Sequence, residues 1–282
     1  MGAGVEEARL RPVPDERLLE LEAPGGAERW LLLADLHLGI HPAGATAGSS
    51  WSDQARELAD RVRSVARARA SDGLLIVGDV KHPIVGTPRT LRPVLFDFFA
   101  SLLSEGARVG VVLGNHDVGL ARHLPKEVEV HGPGGLVLHA VGVFHGHRWP
   151  SNAVLKAPAL VAGHLHPGVR LAPTADLARA KSPCWVRVEF PPFQPPARRR
   201  RRAHAPMRAR ELVLLPAFNP LCGIEALNRE RPSRGRSFLF RRFVLKGDAR
   251  AYLLDGTDLG RIVTPHPPAP MSRSAGRAPR GR

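Results

Sequence analysis

Continuous runs of apolar residues, separated by polar clusters, dominate the first half of the chain. Three runs, at residues 30–34, 74–77 and 109–113, have the length and composition of buried strands. Two longer segments, 54–70 and 90–104, carry apolar residues at helical spacing and lie between these runs. Strands that alternate with helices in this way predict an α/β fold with a parallel core sheet.

The second half of the chain is richer in short runs typical of strands. They occupy residues 128–130, 136–138, 141–144, 160–162, 184–190, 211–215, 237–245 and 251–254. At the other end of the chain, residues 17–23 alternate and predict an edge strand after a loose start at 1–16. We expect one domain over residues 1–262, with a Pro- and Arg-rich insertion at 191–210 and a disordered basic tail at 263–282.

The net charge of +15 is concentrated in two segments that contain no acidic residue. Seven arginines lie between Arg198 and Arg210, and four lie between Arg273 and Arg282. Two interpretations stay open: GC-rich codon usage in loops, or salt-dependent attraction to the phosphates of DNA or RNA.

No apolar run approaches the roughly 18 residues that cross a bilayer, and the acidic N-terminal residues are not those of a secretory signal. We therefore expect a soluble, cytoplasmic protein with no membrane partner.

The two cysteines, Cys184 and Cys222, form no metal-binding motif, and we expect buried free thiols. A disulfide between them stays an open alternative.

Short polar clusters follow the main apolar runs. They are DLH at 35–37, GD at 78–79, GNHD at 114–117, HGH at 145–147 and GHLH at 163–166. A lone Asp or His at a strand end is usually a cap or a satisfied polar residue, so no single cluster is decisive. Their joint occurrence predicts Asp, His and Asn ligands for two adjacent metal ions. A two-metal centre with oxygen and nitrogen ligands most often hydrolyses phosphate esters.

The order DxH, GD, GNHD, H and GHxH resembles the signature of the calcineurin-like binuclear metallophosphoesterase superfamily, over residues 30–225. More narrowly, DLHLG at 35–39, GDVKH at 78–82, GHLHP at 163–167 and LPAFNP at 215–220 resemble the ICC-like phosphoesterase group of archaea and bacteria. This resemblance implies a four-layer α/β/β/α sandwich with two mixed β-sheets. It also implies a metal site at the C-terminal ends of the strands.

The resemblance assigns a role to each ligand. It places Asp35, His37 and His166 on the first ion, Asn115, His145 and His164 on the second, and Asp79 between both. A bridging carboxylate holds two cations about 3.5–4 Å apart, and a shared water between them, deprotonated near neutral pH, would attack phosphorus. The donor set contains no thiolate and suits Mn²⁺, Fe²⁺, Zn²⁺ or Co²⁺.

Four further residues are candidates for contact with substrate or ligands. By resemblance, His116 faces the substrate as a general acid or oxyanion stabiliser, and Asp117 orients its imidazole. The alternative for Asp117 is a helix or turn cap. His147 reaches the substrate or supports a ligand, and His82 touches the substrate phosphate or caps a turn.

The predicted activity is metal-dependent hydrolysis of a phosphodiester or nucleotide, of the nuclease type. Protein phosphatases of the superfamily carry an Arg soon after GD and a Glu after GNH, whereas this chain has Val80-Lys81-His82 and Asp117 there. Two other classes stay open. One is a catalytically weak or silent scaffold that binds nucleic acid or a protein partner, and the other is a nucleic-acid-binding protein whose arginine-rich segments matter more than its chemistry.

Overall fold

The computed structural model describes residues 7–41, 50–171, 181–191, 207–228, 239, 241, 243–244 and 247–262. The α-helices whose bounds the structure gives are α1 (Trp51–Ala68), α2 (Leu91–Leu103) and the short α3 (Asn152–Leu155). The helix predicted over 54–70 begins earlier, at Trp51, because the Ser50 side chain accepts a hydrogen bond from the Asp53 N–H and caps the helix. The second predicted helix is confirmed as α2.

One sheet contains six strands in the order β1 to β6. They are β1 (Arg9–Pro12), β2 (Leu19–Glu22), β3 (Arg29–Leu33), β4 (Gly73–Val77), β5 (Arg108–Val112) and β6 (Glu129–His131). Strands β3 to β6 run parallel, with α1 and α2 as the connections around β4, as the alternating pattern predicts. The expectation of a loose start was wrong. Strand β1 pairs along its length with β2, so β1 is the edge strand and β2 is internal.

The remaining strands form a seven-stranded sheet and a small three-stranded sheet. In chain order they are β7 (Leu136–Leu138), β8 (Val141–Phe144), β9 (Ala159–Ala162), β10 (Pro167–Val169), β11 (Ser182–Pro183), β12 (Trp185–Glu189), β13 (Glu211–Leu214), β14 (Glu225–Ala226), β15 (Asp248–Tyr252) and β16 (Asp258–Arg261). The larger sheet has the order β16-β15-β12-β13-β9-β8-β7, and the smaller one β11-β10-β14. Strands β8, β9 and β13 are parallel, and their outer neighbours are antiparallel, so this sheet is mixed.

The strand predicted over 237–245 was wrong for the residues that the structure describes there. Leu239 and Arg241 are helical, and the Phe243 N–H donates to the Leu239 carbonyl at 2.9 Å, as in a helical turn. Leu239 and Phe243, four positions apart, are both buried in the same core cluster. Residues four positions apart lie on the same face of a helix, so a helical turn also buries the apolar residues that had predicted a strand here.

Side chains of the central strands alternate between two hydrophobic clusters. On β3, Leu31 and Leu33 pack in the cluster that contains α1 and α2, whereas Trp30 and Leu32 pack with Trp185 and other residues of the seven-stranded sheet. A third cluster holds α3 and the opposite face of the larger sheet. The mixed α/β class is confirmed. The four-layer order stays a prediction, and the distribution of these clusters supports it.

Several other predictions are not tested. The tail at 263–282 and most of the arginine-rich segment lie outside the described residues, although Arg208 and Arg210 are described and exposed. The boundary of a single domain at residue 262 stays a prediction. Among the helices described, none is both long and apolar enough to cross a membrane.

Replacing Leu32 by Ala is expected to destabilise the protein strongly, because Leu32 is fully buried in the cluster shared by the two large sheets. The expected loss in the free energy of unfolding is about 2–5 kcal/mol. Denaturant unfolding measures it. The matched control is Val137→Ala in β7, where the side chain is 43% exposed and the expected change is about 0.5 kcal/mol or less. Equal losses in the two variants would contradict this assignment of the core.

Candidate metal centre

The polar clusters lie where the two large sheets meet. Asp35 and Asp79 follow β3 and β4 by two residues, and His145 and His164 follow β8 and β9. Ala34 forms a parallel bridge with Ala217, which follows β13 of the other sheet. The carboxyl ends of parallel strands share one edge of a sheet. The bridge between Ala34 and Ala217 joins this edge of one sheet to that of the other, so it brings the polar clusters of the two sheets together.

The backbone is strained at the predicted ligands. Nine non-glycine residues have positive φ in the described part of the chain, and five of them are predicted ligands, with φ between 44° and 69°: Asp35, His37, Asp79, His164 and His166. Such conformations cost on the order of 1–3 kcal/mol each and persist only where surrounding contacts hold them. The concentration of left-handed residues in these loops is therefore typical of a functional site.

Asp79 contacts residues of both predicted ligand sets. Its side chain is 3% exposed, and its Oδ2 lies 3.2 Å from His145 Nε2 and 3.7 Å from His37 Nε2. Its other oxygen, Oδ1, accepts the backbone N–H of His116 at 2.9 Å. Burial alone would raise the pKa of Asp79, but His145 and the His116 N–H outweigh burial and lower it. Asp79 is therefore a buried carboxylate that faces an imidazole nitrogen on either side.

Asp35 forms the other fixed point of the site. It is fully buried, its carboxylate accepts the backbone N–H of His164, and its Oδ1 lies 3.2 Å from His166 Nε2. Burial would raise the pKa of Asp35, but the charges of His166 and His145 lower it. The predicted ligands Asp35, His164 and His166 are therefore in direct contact.

Backbone carbonyls orient two of the histidines. His145 Nδ1 lies 2.8 Å from the Val77 carbonyl, and His166 Nδ1 lies 2.9 Å from the Gly223 carbonyl. A carbonyl only accepts, so Nδ1 is assigned as the N–H donor in both rings. Each Nε2 is then directed at a carboxylate of the site, which is the arrangement found for histidines that bind metals.

Several buried polar atoms of the site have no hydrogen-bond partner among the residues that the structure describes. They are His37 Nε2, His145 Nε2, His147 Nδ1 and the side-chain oxygen of Asn115. His145 Nε2 lies close to Asp79 but without the alignment of a hydrogen bond. An unsatisfied buried group costs about 1–3 kcal/mol. Cations would satisfy all of the predicted ligands in this set, so the residues fit a metal centre.

The donor atoms also lie close enough to share ions. Asp35, His37 and Asp79 form one group of atoms within 4.8 Å of one another, and Asp79, His145 and His164 form a second.

Burial lowers the pKa of both His37 and His164 to about 4, so each imidazole is neutral near pH 7. His145 differs. Burial would lower its pKa, but the Asp79 carboxylate raises it to about 9.

His116 lies at the accessible side of the centre. Its Nδ1 is assigned as the donor to the His82 carbonyl, its Nε2 is 3.8 Å from Asp79 Oδ2, and its side chain is 16% exposed. The Asp117 carboxylate accepts backbone N–H groups of Val80 and Gly114, both at 2.9 Å. These contacts connect the GD loop to the GNHD loop and favour the turn-cap interpretation, and the role of Asp117 in orienting His116 stays a prediction.

His82 and His147 lie next to predicted ligands. His82 Nδ1 is 3.4 Å from His37 Nδ1, and the His147 ring centre is 5.5 Å from that of His145. Burial lowers the pKa of His147 to about 4. Both positions are suited to supporting a ligand or reaching a bound substrate.

Two residues of the site were missed by sequence reasoning. Cys222 is buried and free, as expected of both cysteines, but its sulfur belongs to a group with His37 and His166 within 4.8 Å. Lys81 is fully buried, and its Nζ donates to the Pro83 carbonyl beside His82. The proximity of Cys222 to the LPAFNP motif is the one signal that pointed to it.

The Pseudomonas putida nuclease MPE has a similar structure. Its sequence is 21% identical, the alignment covers 89% of this chain and all of that chain, and the TM-score is 0.52. The phosphoesterase YfcE from E. coli is 13% identical over 83% of this chain and 97% of its own, with a TM-score of 0.34 that is too low to define a fold. No protein-family model and no curated protein matches the chain.

The comparison with the nuclease confirms the resemblance at the level of the fold. This chain shares the mixed α/β fold of that nuclease.

The stability of the metal-free protein is expected to fall between pH 6.5 and 9. The pKa of His145 is about 9 in the folded chain and about 6.5 in an unfolded one. Its ion pair with Asp79 therefore stabilises the fold fully below pH 6.5, and this contribution is lost as the pH rises through 9. Thermal unfolding in EDTA measures the effect. The variant His145→Gln removes the titrating group, so an identical pH profile in that variant would contradict the assignment.

Proposed function

We propose that this chain is a hydrolase acting on phosphate esters, specifically a two-metal phosphodiesterase of the nuclease type. The observation that supports this most directly is the position of Asp79. One of its oxygens lies near an imidazole nitrogen from each of the two predicted ligand sets, His37 on one side and His145 on the other. A carboxylate in that position can hold two ions at the short separation that phosphoryl chemistry uses.

The first ion would be held by Asp35, His37, His166 and Asp79. The second would be held by Asn115, His145 and His164, together with the same Asp79 carboxylate. When bound, the two divalent ions supply positive charge for the phosphate oxygens and an acidic water as the nucleophile. Manganese, iron, zinc and cobalt all suit carboxylate, imidazole and amide donors.

The residues themselves position these groups. The carbonyls of Val77 and Gly223 fix the ring orientations of His145 and His166. The backbone N–H groups of His164 and His116 fix the carboxylates of Asp35 and Asp79. Ligands held in this way need no reorganisation when substrate arrives, which is the condition for electrostatic catalysis.

His116 is proposed as the general acid. Its Nδ1 is held by the His82 carbonyl, which leaves Nε2 free of that contact and 3.8 Å from Asp79 Oδ2. A side chain that is 16% exposed and lies beside the bridging carboxylate can carry the proton that the leaving oxygen needs. His82 and His147 are proposed to contact substrate or to support the ligands His37 and His145.

A nucleic-acid substrate is proposed on two grounds. The similar structure from P. putida is named a nuclease, and the chain carries a net charge of +15 with arginines clustered between Arg198 and Arg210 and in the tail. Clustered arginines favour contact with phosphate backbones of DNA or RNA.

The competing function is a silent scaffold with the same fold. Inactive members of the superfamily that this sequence resembles support the scaffold alternative. The complete set of ligand residues in this chain argues against a scaffold.

Hydrolysis of bis-p-nitrophenyl phosphate tests the proposal. Purified protein with Mn²⁺ is expected to release p-nitrophenolate, and EDTA is expected to abolish the release, because the nucleophile requires the ions. Excess Mn²⁺ added after the EDTA treatment is the control. Recovered hydrolysis would show that EDTA did not damage the protein irreversibly. A protein that binds two ions yet hydrolyses no diester with Mn²⁺, Fe²⁺, Zn²⁺ or Co²⁺ would favour the scaffold.

Replacing His116 by Ala is expected to affect DNA hydrolysis more than hydrolysis of the model diester. The alkoxide that leaves a DNA strand needs a proton, whereas p-nitrophenolate leaves without one. The expected loss is about 10²–10⁴-fold on an oligonucleotide and much smaller on bis-p-nitrophenyl phosphate. His131→Ala, which lies on β6, is the matched histidine control. Equal losses on both substrates would show that His116 does not act as the acid.

A further inference from the structure

Cys222 lies on a turn that is hydrogen-bonded to the DLH loop. The Asn219 side chain donates to the Leu36 carbonyl at 2.8 Å, and the Cys222 N–H donates to the Asn219 carbonyl at 3.1 Å. The next residue, Gly223, supplies the carbonyl that accepts from His166 Nδ1. The turn that orients His166 therefore also fixes the position of the cysteine.

The sulfur of Cys222 faces the predicted first ion. It forms a group with donor atoms of His37 and His166 that all lie within 4.8 Å of one another. Two atoms bound to one ion at about 2.1 Å for nitrogen and 2.3 Å for sulfur are at most about 4.4 Å apart, and three donors around one ion lie closer still. Binding would therefore draw the three donor atoms together, a contraction that side-chain rotation allows.

A second observation also points to a cation ligand at this group. His37 is 5% exposed, and its Nε2 has no hydrogen-bond partner in the described part of the chain. The Cys222 thiol itself makes only a long contact, 3.5 Å from Sγ to the Asp35 carbonyl. His37 Nε2 therefore has no hydrogen-bond partner among the described residues, and Cys222 Sγ has only this long one. One bound ion would give both atoms a partner.

We propose that Cys222 binds the first metal ion as a thiolate, beside Asp35, His37 and His166. This assignment rests on the metal centre of the proposed function. On binding, the S–H proton passes to solvent and the bond from sulfur to the ion forms. The Asp35 carbonyl then keeps only its long contact with the Asn219 N–H, at 3.5 Å. A sulfur ligand at this ion favours zinc, cobalt or iron over manganese, because manganese prefers oxygen donors.

Cobalt substitution tests the assignment without any measurement of activity. The metal-free protein is titrated with Co²⁺, and the near-ultraviolet absorption is followed for a sulfur-to-cobalt charge-transfer band. The weaker visible bands of cobalt report binding independently. The chain has two cysteines. Cys184 is fully buried in the hydrophobic cluster that contains α3, so Cys184→Ser is the matched control for Cys222→Ser.

The wild type and Cys184→Ser are expected to show the charge-transfer band, and Cys222→Ser is expected to lose it while keeping the visible cobalt bands. The band in Cys184→Ser identifies Cys222 even if Cys222→Ser fails to fold, because no other cysteine remains. Visible cobalt bands without charge transfer in the wild type would overturn the thiolate ligand and leave the metal centre intact. No cobalt binding at all would overturn both.

Discussion

Two buried carboxylates, Asp35 and Asp79, constrain the arrangement of the whole site. They are 0% and 2% exposed, and a buried charge is tolerated only when hydrogen bonds and opposite charges surround it. Each carboxylate accepts a backbone N–H from a histidine of another loop, and each faces imidazole nitrogens. The loops must therefore converge on the carboxylates, and five of their residues take up left-handed backbone conformations to do so.

The same constraint explains two glycines of the motifs. A Cβ on Gly114 would lie 2.2 Å from Asp79 Oδ1, and a Cβ on Gly78 would lie 2.3 Å from His145 Nδ1. Neither distance is possible for a real side chain, so the backbone of each loop approaches the next ligand as closely as glycine allows. The close approach packs donors from both sheets around one centre, and their unpartnered atoms leave a place for cations.

The parts of this arrangement that depend on local pattern could be predicted from the sequence. Strands β3, β4 and β5 are continuous apolar runs, and Asp35, Asp79 and Asn115 follow them, so their position at one sheet edge follows from chain order. Contacts between distant segments could not be predicted in this way. Asp117 bonds to backbone that lies 37 residues away in the GD loop, and nothing in its motif distinguishes that role from orienting His116.

Cys222 and strand β1 were missed for related reasons. A single cysteine has no spacing to a second ligand that a sequence pattern could reveal. Cys222 lies near the metal centre only because the Asn219 side chain forms a hydrogen bond with the carbonyl of Leu36, 183 residues earlier. Strand β1 has four residues and ends in a proline, too short for alternation to be recognised, and it is defined by pairing with β2.

The proposed mechanism depends most on Asp79 as the bridge between two ions. The direct measurement is the number of Co²⁺ ions bound per chain, by native mass spectrometry, in the wild type and in Asp79→Ala, alongside hydrolysis of bis-p-nitrophenyl phosphate. We expect two ions and hydrolysis in the wild type, and fewer than two ions with hydrolysis lost in the variant. A variant that keeps both ions and the activity would contradict it.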